Sequence, residues 1–510
     1  MNLLLSTIYL IFGTVLTYIA IVMITEIRAY LNGLFYRKQG IPFKYIPLLG
    51  LGKLFMGGSK NDPASMFKEV VDNNYNPGLV AFNVPGNKNT MLMLIGPEIC
   101  KDFWAQENDV TYRQPRYNFP LNLGFFFKGG AEGLHQRKIF KTFFTPEILE
   151  KQIPKVNKIL EKLMKKLTNK IWGDEDLYQW KKVNFQELTL DIFEEFTFYI
   201  LFGENEVPKI EGEGLARALI HVLDLHKAEI THPLNILTAD LPETLGLSPK
   251  AKEIKRRTDL INSAIIEFYE KAKKRKERGL NLIDLMLSHN EQAKANGKFE
   301  DIISDDLIIG NILGFIFGGS DTTRLATNTH IYFLSKNSEI QEDLYQHLKS
   351  NFIEKGLENL TLEKLGSDER FNLHVKEAFR LHGPVLFTFR RNVIKDFRLK
   401  KYRIKKGDKI IISSNAVHYT DKAFEKPMEF DINRFTKENK KKFNFADYRP
   451  FQHGKRSCMG KYVADILFKT VLLNLLQEFE FGSEENIQQS IGWDFLYGMH
   501  KCPVYMRKRK

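Results

Sequence analysis

The sequence predicts a mainly α-helical protein with small β-sheets, arranged as a single large domain behind an N-terminal transmembrane helix. Three observations predict this class. Leu3 to Thr25 carries no charged residue, most segments after residue 60 repeat apolar residues at helical spacing, and strand-like segments are few and short. With 510 residues, 43% of them hydrophobic, the chain is long enough to bury a large core.

The first element is an apolar segment long enough to cross a membrane, since a spanning helix needs about 20 apolar residues. A cleaved signal peptide would begin with basic residues, but here the cations Arg28, Arg37 and Lys38 follow the apolar run. By the positive-inside rule, the rest of the chain then stays in the cytosol. We predict a signal anchor at residues 1–26; a buried core helix and a cleaved signal are the alternatives.

The anchor leads into a proline-containing linker, predicted at residues 27–55, and then into a domain at residues 56–510. Pro42 and Pro47 fix φ and remove backbone donors, which favours an extended connector. Within the domain, helical periodicity is clear at 151–170 and 188–202, and residues 305–335 predict a long helix buried on most sides. Strands are predicted at 79–85, 90–95 and 397–413.

Charge and cysteine content narrow the function classes. The net charge is +13, and runs such as residues 271–278 are by default solvated helix faces, with anionic lipid or an acidic protein as sharper alternatives. We find no zinc-finger, helix-turn-helix or RNA-binding signature, so no nucleic acid is expected as a partner. Cys100, Cys458 and Cys502 are spaced too widely for a disulfide framework or a zinc pattern, and they suit a reducing compartment.

The most informative short segment is FQHGKRSCMG, residues 451–460. One thiolate without a neighbouring His or Cys cannot close a tetrahedral zinc site, but it can supply an axial ligand to haem iron. Gly454 and Gly460 permit close backbone approach, and a helix predicted to begin at Gly460 favours the thiolate of Cys458. Arg456 is a candidate partner for a haem propionate, and Phe451 is a candidate shield for the sulfur. A buried structural cysteine is the alternative.

The pattern FxxGxRxCxG resembles the haem-binding loop of the cytochrome P450 monooxygenases, and all of its positions match here: Phe451, Gly454, Arg456, Cys458 and Gly460. The resemblance covers essentially the whole chain. It implies the cytochrome P450 fold, heme b as cofactor, and Cys458 as the axial ligand of the haem iron. The implied reaction inserts one oxygen atom from O2 into an apolar substrate such as a fatty acid, sterol or xenobiotic.

A second motif, GGSDTT, lies inside the long predicted helix at residues 318–323. Two glycines there destabilise a helix by about 1 kcal/mol each relative to alanine, which often marks a place where another group comes close. Alone, Asp321 and Thr322 are consistent with a solvent-facing patch. The resemblance assigns both to proton delivery toward dioxygen.

A third motif, ExxR, places Glu377 and Arg380 on one helix face, which alone predicts an exposed ion pair worth about 0.2–0.5 kcal/mol. A second copy, Glu253 and Arg256, lies in a lysine-rich stretch where exposure is expected. The resemblance makes Glu377 and Arg380 a buried structural pair completed by Arg434.

The resemblance also implies arginines at the haem propionates. These are Arg137 and either Arg390 or Arg391, of which Arg390 is favoured. Gly133 stands where the family has a tryptophan, with His135 as a candidate substitute donor.

Partners follow from the same resemblance. The chain has no Gly-rich dinucleotide loop, so the electrons are expected from an NADPH–cytochrome P450 reductase-like flavoprotein. Its expected docking site is the set of lysines near the cysteine loop, namely Lys441, Lys442, Lys455 and Lys461. The anchor implies the endoplasmic reticulum membrane. The residues expected to line the substrate pocket are Phe125 to Phe127, Phe315, Phe317, Leu386, Phe387 and Phe495.

Two other functions stay open at this point. One is a haem-thiolate isomerase or lyase that acts on peroxides. The other is a non-catalytic haem-binding or lipid-binding protein. Retention of Asp321 and Thr322 favours the monooxygenase, because peroxide-rearranging relatives often lose this pair.

Overall fold

The computed structural model describes residues 2–47, 63–84, 87–113, 121–203, 207–230, 249–484, 490–491, 496–498 and 502–510. In these ranges the α-helices are α1 (Asn2–Arg37), α2 (Pro63–Asn74), α3 (Pro97–Val110), α4 (Gly130–Lys141), α5 (Pro146–Trp172), α6 (Phe185–Phe202), α7 (Leu215–Ile230), α8 (Pro249–Lys273), α9 (Leu282–Ala295), α10 (Asp305–Lys336), α11 (Ser338–Asn351), α12 (Leu362–Ser367), α13 (Glu369–His382) and α14 (Lys461–Glu478). The predicted helix-dominated class is confirmed.

The strands described are short and come from distant parts of the sequence. They are β1 (Phe43–Lys44), β2 (Leu79–Val84), β3 (Asn87–Leu94), β4 (Thr111–Arg113), β5 (Lys181–Asn184), β6 (Lys209–Ile210), β7 (Glu213–Gly214), β8 (Arg391–Val393), β9 (Phe397–Leu399), β10 (Tyr402–Ile404), β11 (Lys409–Ile412), β12 (Phe479–Gly482), β13 (Ser490–Ile491), β14 (Tyr497–Gly498) and β15 (Pro503–Lys508).

The largest sheet has the order β1-β2-β3-β11-β8-β4 and joins the N-terminal third of the chain to residues near 400. β11 runs parallel to β3, while β8 is antiparallel to both β11 and β4. This pairing sets Arg113, the last residue of β4, directly opposite Arg391, the first residue of β8. The sheet thus places two cations side by side at the edge of the site described below.

The helix α10 passes through the centre of the domain and has hydrophobic clusters on both sides. One cluster contains Leu334 together with apolar residues of α5, α13 and α14, and the other contains Ile312 and Phe317 together with residues of α7, α8 and α9. Leu334 and Ile312 are both fully buried. Although residues 299–336 are long and apolar enough to span a membrane, half of this segment is buried in the domain. The prediction of a central buried helix is therefore confirmed.

The N-terminal helix does not end at the predicted boundary near residue 26 but continues to Arg37. Tyr36 is fully buried and donates a hydrogen bond to Asp408, while Asn32 Nδ2 donates to the same carboxylate at 3.0 Å. The first part of the predicted linker is therefore helical and packed on the domain, because a buried carboxylate requires these donors. The predicted extended connector begins only after Gly40, and its residues 48–55 lie outside the described part of the chain.

Candidate active site

The loop at residues 451–460 is a tight turn that presents Cys458 just before α14, which begins at Lys461. The amide of Cys458 donates to the carbonyl of Phe451 at 2.8 Å, and the amide of Ser457 donates to that of Gly454 at 3.2 Å. Gly454 has φ +79°, and a Cβ atom there would lie 2.9 Å from Cβ of Trp104. Glycine is therefore required at 454 by the turn and by its packing against the protein.

The Cys458 side chain is exposed, yet protein surrounds it closely enough that burial raises the pKa of its thiol. Both observations hold when the sulfur faces an enclosed recess. The Gly460 amide, hydrogen-bonded to the sulfur, and the charge of Arg137 both oppose this rise in pKa. A Cβ atom at Gly460 would meet no protein atom within 4 Å, so this side of the loop is open.

Four arginines converge beside the cysteine loop. Arg113 and Arg391 face each other across two strands, and the charges of Arg137 and Arg456 also act on Arg113. Burial lowers the pKa of Arg113, of Arg137, and of Arg456, the last to about 10. Arg391 is hydrogen-bonded to the buried carboxylate of Glu107.

This cluster carries more positive charge than its surroundings neutralise. Glu107 is the carboxylate whose charge acts on Arg113, Arg137 and Arg456 alike. Like charges that face each other across a sheet are destabilising. In the part of the chain described, Nε of Arg113 is also sealed from solvent with no hydrogen-bond partner. The arrangement fits a group with anionic arms that lies in the recess with Cys458.

Main-chain carbonyls and one side-chain amide hold two of these arginines in place. Arg456 donates through Nε to Asn108 at 2.8 Å and through a terminal nitrogen to the Lys128 carbonyl at 2.8 Å. Arg137 donates to the carbonyls of Lys455, at 3.3 Å, and Ser457. The segment before α4 and α4 itself are therefore both hydrogen-bonded to the cysteine loop.

The glycine at position 133 has a structural explanation. A Cβ atom there would lie 2.2 Å from the Lys128 carbonyl oxygen and 3.0 Å from a terminal nitrogen of Arg456. The chain near Lys128 thus fills the space that a larger side chain would need. His135, the candidate substitute donor, lies 3.2 Å from Asp301 instead and is largely exposed.

The helix α10 has one narrow accessible face. Between residues 310 and 331 the residues that are not fully buried are Phe315, Gly318, Gly319 and Thr322, at the spacing of one helix face. Thr322 Oγ1 donates to the Gly318 carbonyl at 2.7 Å. Asp321 is buried beside it and accepts a hydrogen bond from Arg324 Nε at 2.9 Å.

The two ExxR copies differ in burial, as the sequence context indicated. Glu377 and Arg380 are fully buried, with Arg380 Nε 2.7 Å from the carboxylate. Arg434 Nε lies 3.3 Å from the same carboxylate. Arg256 pairs with Glu253 at 2.8 Å, and both side chains are exposed.

The structure shows the packing of three further candidate residues, and it reveals charged residues that the sequence reasoning missed. Phe451 packs edge-on against Phe379 of α13, 5.1 Å between ring centroids. Leu386 and Phe387 belong to the buried core beside the main sheet, and Phe495 lies outside the described residues. Sequence reasoning missed Glu107, Arg113 and Arg324, because a lone charged residue carries no local signal of burial.

Comparison with known proteins gives consistent matches. The sequence model of the family described as Cytochrome P450 matches residues 42–503. The chain is 24% identical over 405 residues to cytochrome P450 3A9 of Rattus norvegicus, covering 77% of both chains. It is 30% identical over 206 residues to cytochrome P450 3A15 of Cavia porcellus, so that this match spans 40% of the relative's length. It is also 30% identical over 207 residues to cytochrome P450 4V2 of Rattus norvegicus, covering 41% of this chain and 38% of the relative.

Proposed function

Because this chain belongs to the cytochrome P450 family of haem proteins, we propose that it is a haem-thiolate monooxygenase. The proposed cofactor is heme b, and the proposed reaction places one oxygen atom from O2 in an apolar organic substrate. The observation that carries this proposal is an exposed Cys458 beside a cluster of four arginines that share one buried carboxylate.

Each group in the recess receives a role that its surroundings support. Cys458 would hold the haem iron through its thiolate, with the Gly460 amide donating to the sulfur. The arginines would receive the two propionates, and among them we assign Arg391 in place of Arg390. Arg391 is fully buried in the cluster and paired across the sheet with Arg113, whereas Arg390 is only partly buried.

The bound haem would supply oxygen activation, and the remaining work falls to this chain. Thr322, on the accessible face of α10, and Asp321, buried beside it, would together deliver protons to the site. Arg324 would hold Asp321 in position. The aromatic residues around the recess would exclude water from the substrate.

We also propose the partner and the membrane. The helix α1 exposes large apolar side chains from Phe12 to Leu31, as expected of a helix in lipid, with the endoplasmic reticulum as the proposed membrane and the domain in the cytosol. Lys441, Lys442 and Lys461 flank the cysteine loop in the sequence, and Lys455 lies within it. The neighbouring rings of Phe445 and Tyr462 are 63% and 62% exposed. Such a basic surface with exposed rings suits an acidic, NADPH-dependent reductase-like flavoprotein.

The test is the difference spectrum of the dithionite-reduced protein with and without carbon monoxide. We expect a strongly red-shifted Soret band, and Cys458→His should move it to the position typical of histidine-ligated haem. Cys502→Ser is the matched control, because Cys502 is buried among apolar residues of a core cluster and should leave the band in place. Failure of the wild-type protein to show any haem band would refute the proposal.

A further inference from the structure

A carboxylate of α6 caps the start of α7. The Glu194 side chain is buried, and the backbone amides of Ala216 and Arg217 donate hydrogen bonds to it. These amides belong to the first turn of α7, where backbone N–H groups have no partner within the helix. Glu194 therefore holds the first turn of α7 on α6, as an N-terminal cap supplied by a different helix.

The fold shapes the space around this carboxylate. A Cβ atom at Gly214 would lie 2.1 Å from Oε2 of Glu194, so the carboxylate occupies the place that a side chain would need there. Gly214 ends the hairpin of β6 and β7, and Glu211 in the turn of this hairpin pairs with Arg256 of α8 at 3.0 Å. The hairpin thus fixes the chain just before α7, and Glu194 meets the first turn of α7 at a defined position.

The charges around Glu194 do not compensate its burial. Burial is the largest effect and raises the pKa of Glu194 to about 7. Asp191, one turn earlier on α6, also raises it, whereas the charge of Arg217 lowers it. Arg217 lies 3.9 Å from Asp191, with which it forms an ion pair. At the end of the hairpin, Glu213 pairs with His221 of α7 at 2.8 Å.

The direction of the pH effect follows from this pKa. A glutamate in solvent has a pKa of about 4.3, so an opened first turn of α7 releases the proton that the closed contact keeps. The stability that this proton gives to the closed contact is fully present below about pH 4.3 and is lost as the pH rises to about 7. Across this range, opening becomes easier by about tenfold for each pH unit.

We propose that Glu194 is a pH-sensitive cap that closes the start of α7 onto α6 in acid and loosens it near neutral pH. Leu215 and Leu219 of α7 share a hydrophobic cluster with Phe317 of α10, so the loosening reaches the packing beside the central helix. The cap involves no group of the proposed active site, and it operates with or without the proposed activity.

Amide hydrogen exchange of the full chain in detergent measures the opening of this turn. After correction for the intrinsic pH dependence of exchange, we expect the protection of the Ala216 and Arg217 amides to be about twentyfold lower at pH 7.5 than at pH 5.5. Glu194→Gln keeps an accepting oxygen but cannot ionise, so the protection should be the same at both pH values.

Two further variants separate Glu194 from its neighbours. Gly214→Ala places a methyl group against the carboxylate and should displace it into solvent, so the protection should be low at both pH values. His221→Gln is the matched control, because it removes from α7 a side chain of the type that changes charge in this pH range. In this control the twentyfold difference should persist.

Each outcome decides the role of Glu194. Equal protection of the wild type at both pH values, or a difference that persists in Glu194→Gln, overturns the proposal. Loss of the difference in His221→Gln, with its retention in Glu194→Gln, would assign the pH response to His221 and overturn the proposal as well.

Discussion

At the scale of single residues, the hydroxyl of Thr322 is the group whose removal separates the candidate functions. Thr322→Ala should leave reductase-supported NADPH oxidation running while product per NADPH falls by about tenfold or more, because the proton supply is lost. The measurement is the ratio of product formed to NADPH consumed. A peroxide isomerase or a non-catalytic binding protein would show little effect.

The control for Thr322 lies on the same helix. Thr327 is fully buried and donates to the Thr323 carbonyl at 2.9 Å. Thr327→Ala removes a comparable hydroxyl from α10 at a position closed to the recess, so coupling should stay as in the wild type. Equal coupling in both variants would contradict the role given to Thr322.

Also at the residue scale, Glu377 neutralises two buried arginines. It accepts from Arg380 at 2.7 and 2.8 Å and from Arg434 at 3.3 Å. Glu377→Gln leaves both guanidinium groups without a counter-charge and should lower the free energy of unfolding by about 3–5 kcal/mol. Urea unfolding of the detergent-solubilised protein, followed by circular dichroism, measures this.

The second ExxR copy provides the comparison. Glu253→Gln changes the same pair of residue types at an exposed position and should produce no measurable change in the unfolding midpoint. If neither substitution lowered the free energy of unfolding, the buried group of Glu377, Arg380 and Arg434 would not stabilise the fold as its geometry indicates.

At the scale of elements, α10 and α13 are joined by a buried chain of three histidines. Nδ1 of His330 lies 3.0 Å from Nδ1 of His382, and its Nε2 lies 2.8 Å from Nε2 of His374. Burial is the main cause that lowers the pKa of His374 and of His382 to about 3, and it lowers that of His330 as well. The histidines are therefore neutral in the folded protein at neutral pH.

The three buried histidines predict that the folded protein loses stability in acid. An unfolded histidine has a pKa of about 6.5, so below that pH the unfolded state binds protons that the folded state does not. Stability should fall as the pH drops from about 6.5 toward 3, by about 1.4 kcal/mol per pH unit for each histidine. Unfolding free energies measured at several pH values check the slope.

Two variants test the source of that slope. His382→Gln keeps a hydrogen-bonding side chain but does not titrate, so the contribution of these three histidines to the slope should fall by about one third. His221→Gln alters a histidine that is 46% exposed and should leave the slope unchanged. A slope unaffected by His382→Gln would show that other groups govern the acid response.

At the scale of the whole molecule, the N-terminal helix is part of the domain as well as its apolar extension. Removal of residues 2–25 should leave the domain folded, because Asn32 and Tyr36 still donate to Asp408. Removal of residues 2–38 should destabilise the domain, because a buried carboxylate that loses its donors costs about 1–3 kcal/mol per lost bond. Thermal unfolding of both truncated proteins measures the difference.

A point substitution separates this packing from the effect of length. Tyr36→Phe in the full chain removes one buried donor and should cost about 1–3 kcal/mol. Thr17→Val also removes a hydroxyl from α1, but one that donates to the Gly13 carbonyl on the exposed part of the helix, so the domain should be unaffected. Equal stability of the two truncated proteins would mean that the packed end of α1, which carries Asn32 and Tyr36, does not stabilise the domain.

The sequence by itself determined the features that depend on patterns among neighbouring residues. These include the apolar N-terminal helix, the helical class, the central buried helix and the family, because periodicity, the length of an apolar run and the spacing around Cys458 are properties of neighbouring positions. The exposed ExxR copy was also distinguishable from the buried one, by the lysine-rich stretch around Glu253 and Arg256.

Only the tertiary structure decided which distant residues share an environment. The pairing of β4 with β8 brings Arg113 beside Arg391, and no pattern near either residue indicates this. The same holds for the contact of Tyr36 with Asp408 and for the contact of the Phe126 ring with Gly314 and Gly318 of α10. At Gly318 the sequence indicated a close approach but not which group approaches. The physical reason is that burial, unbalanced charge and steric fit depend on neighbours in space, which the folded chain brings together from segments hundreds of residues apart.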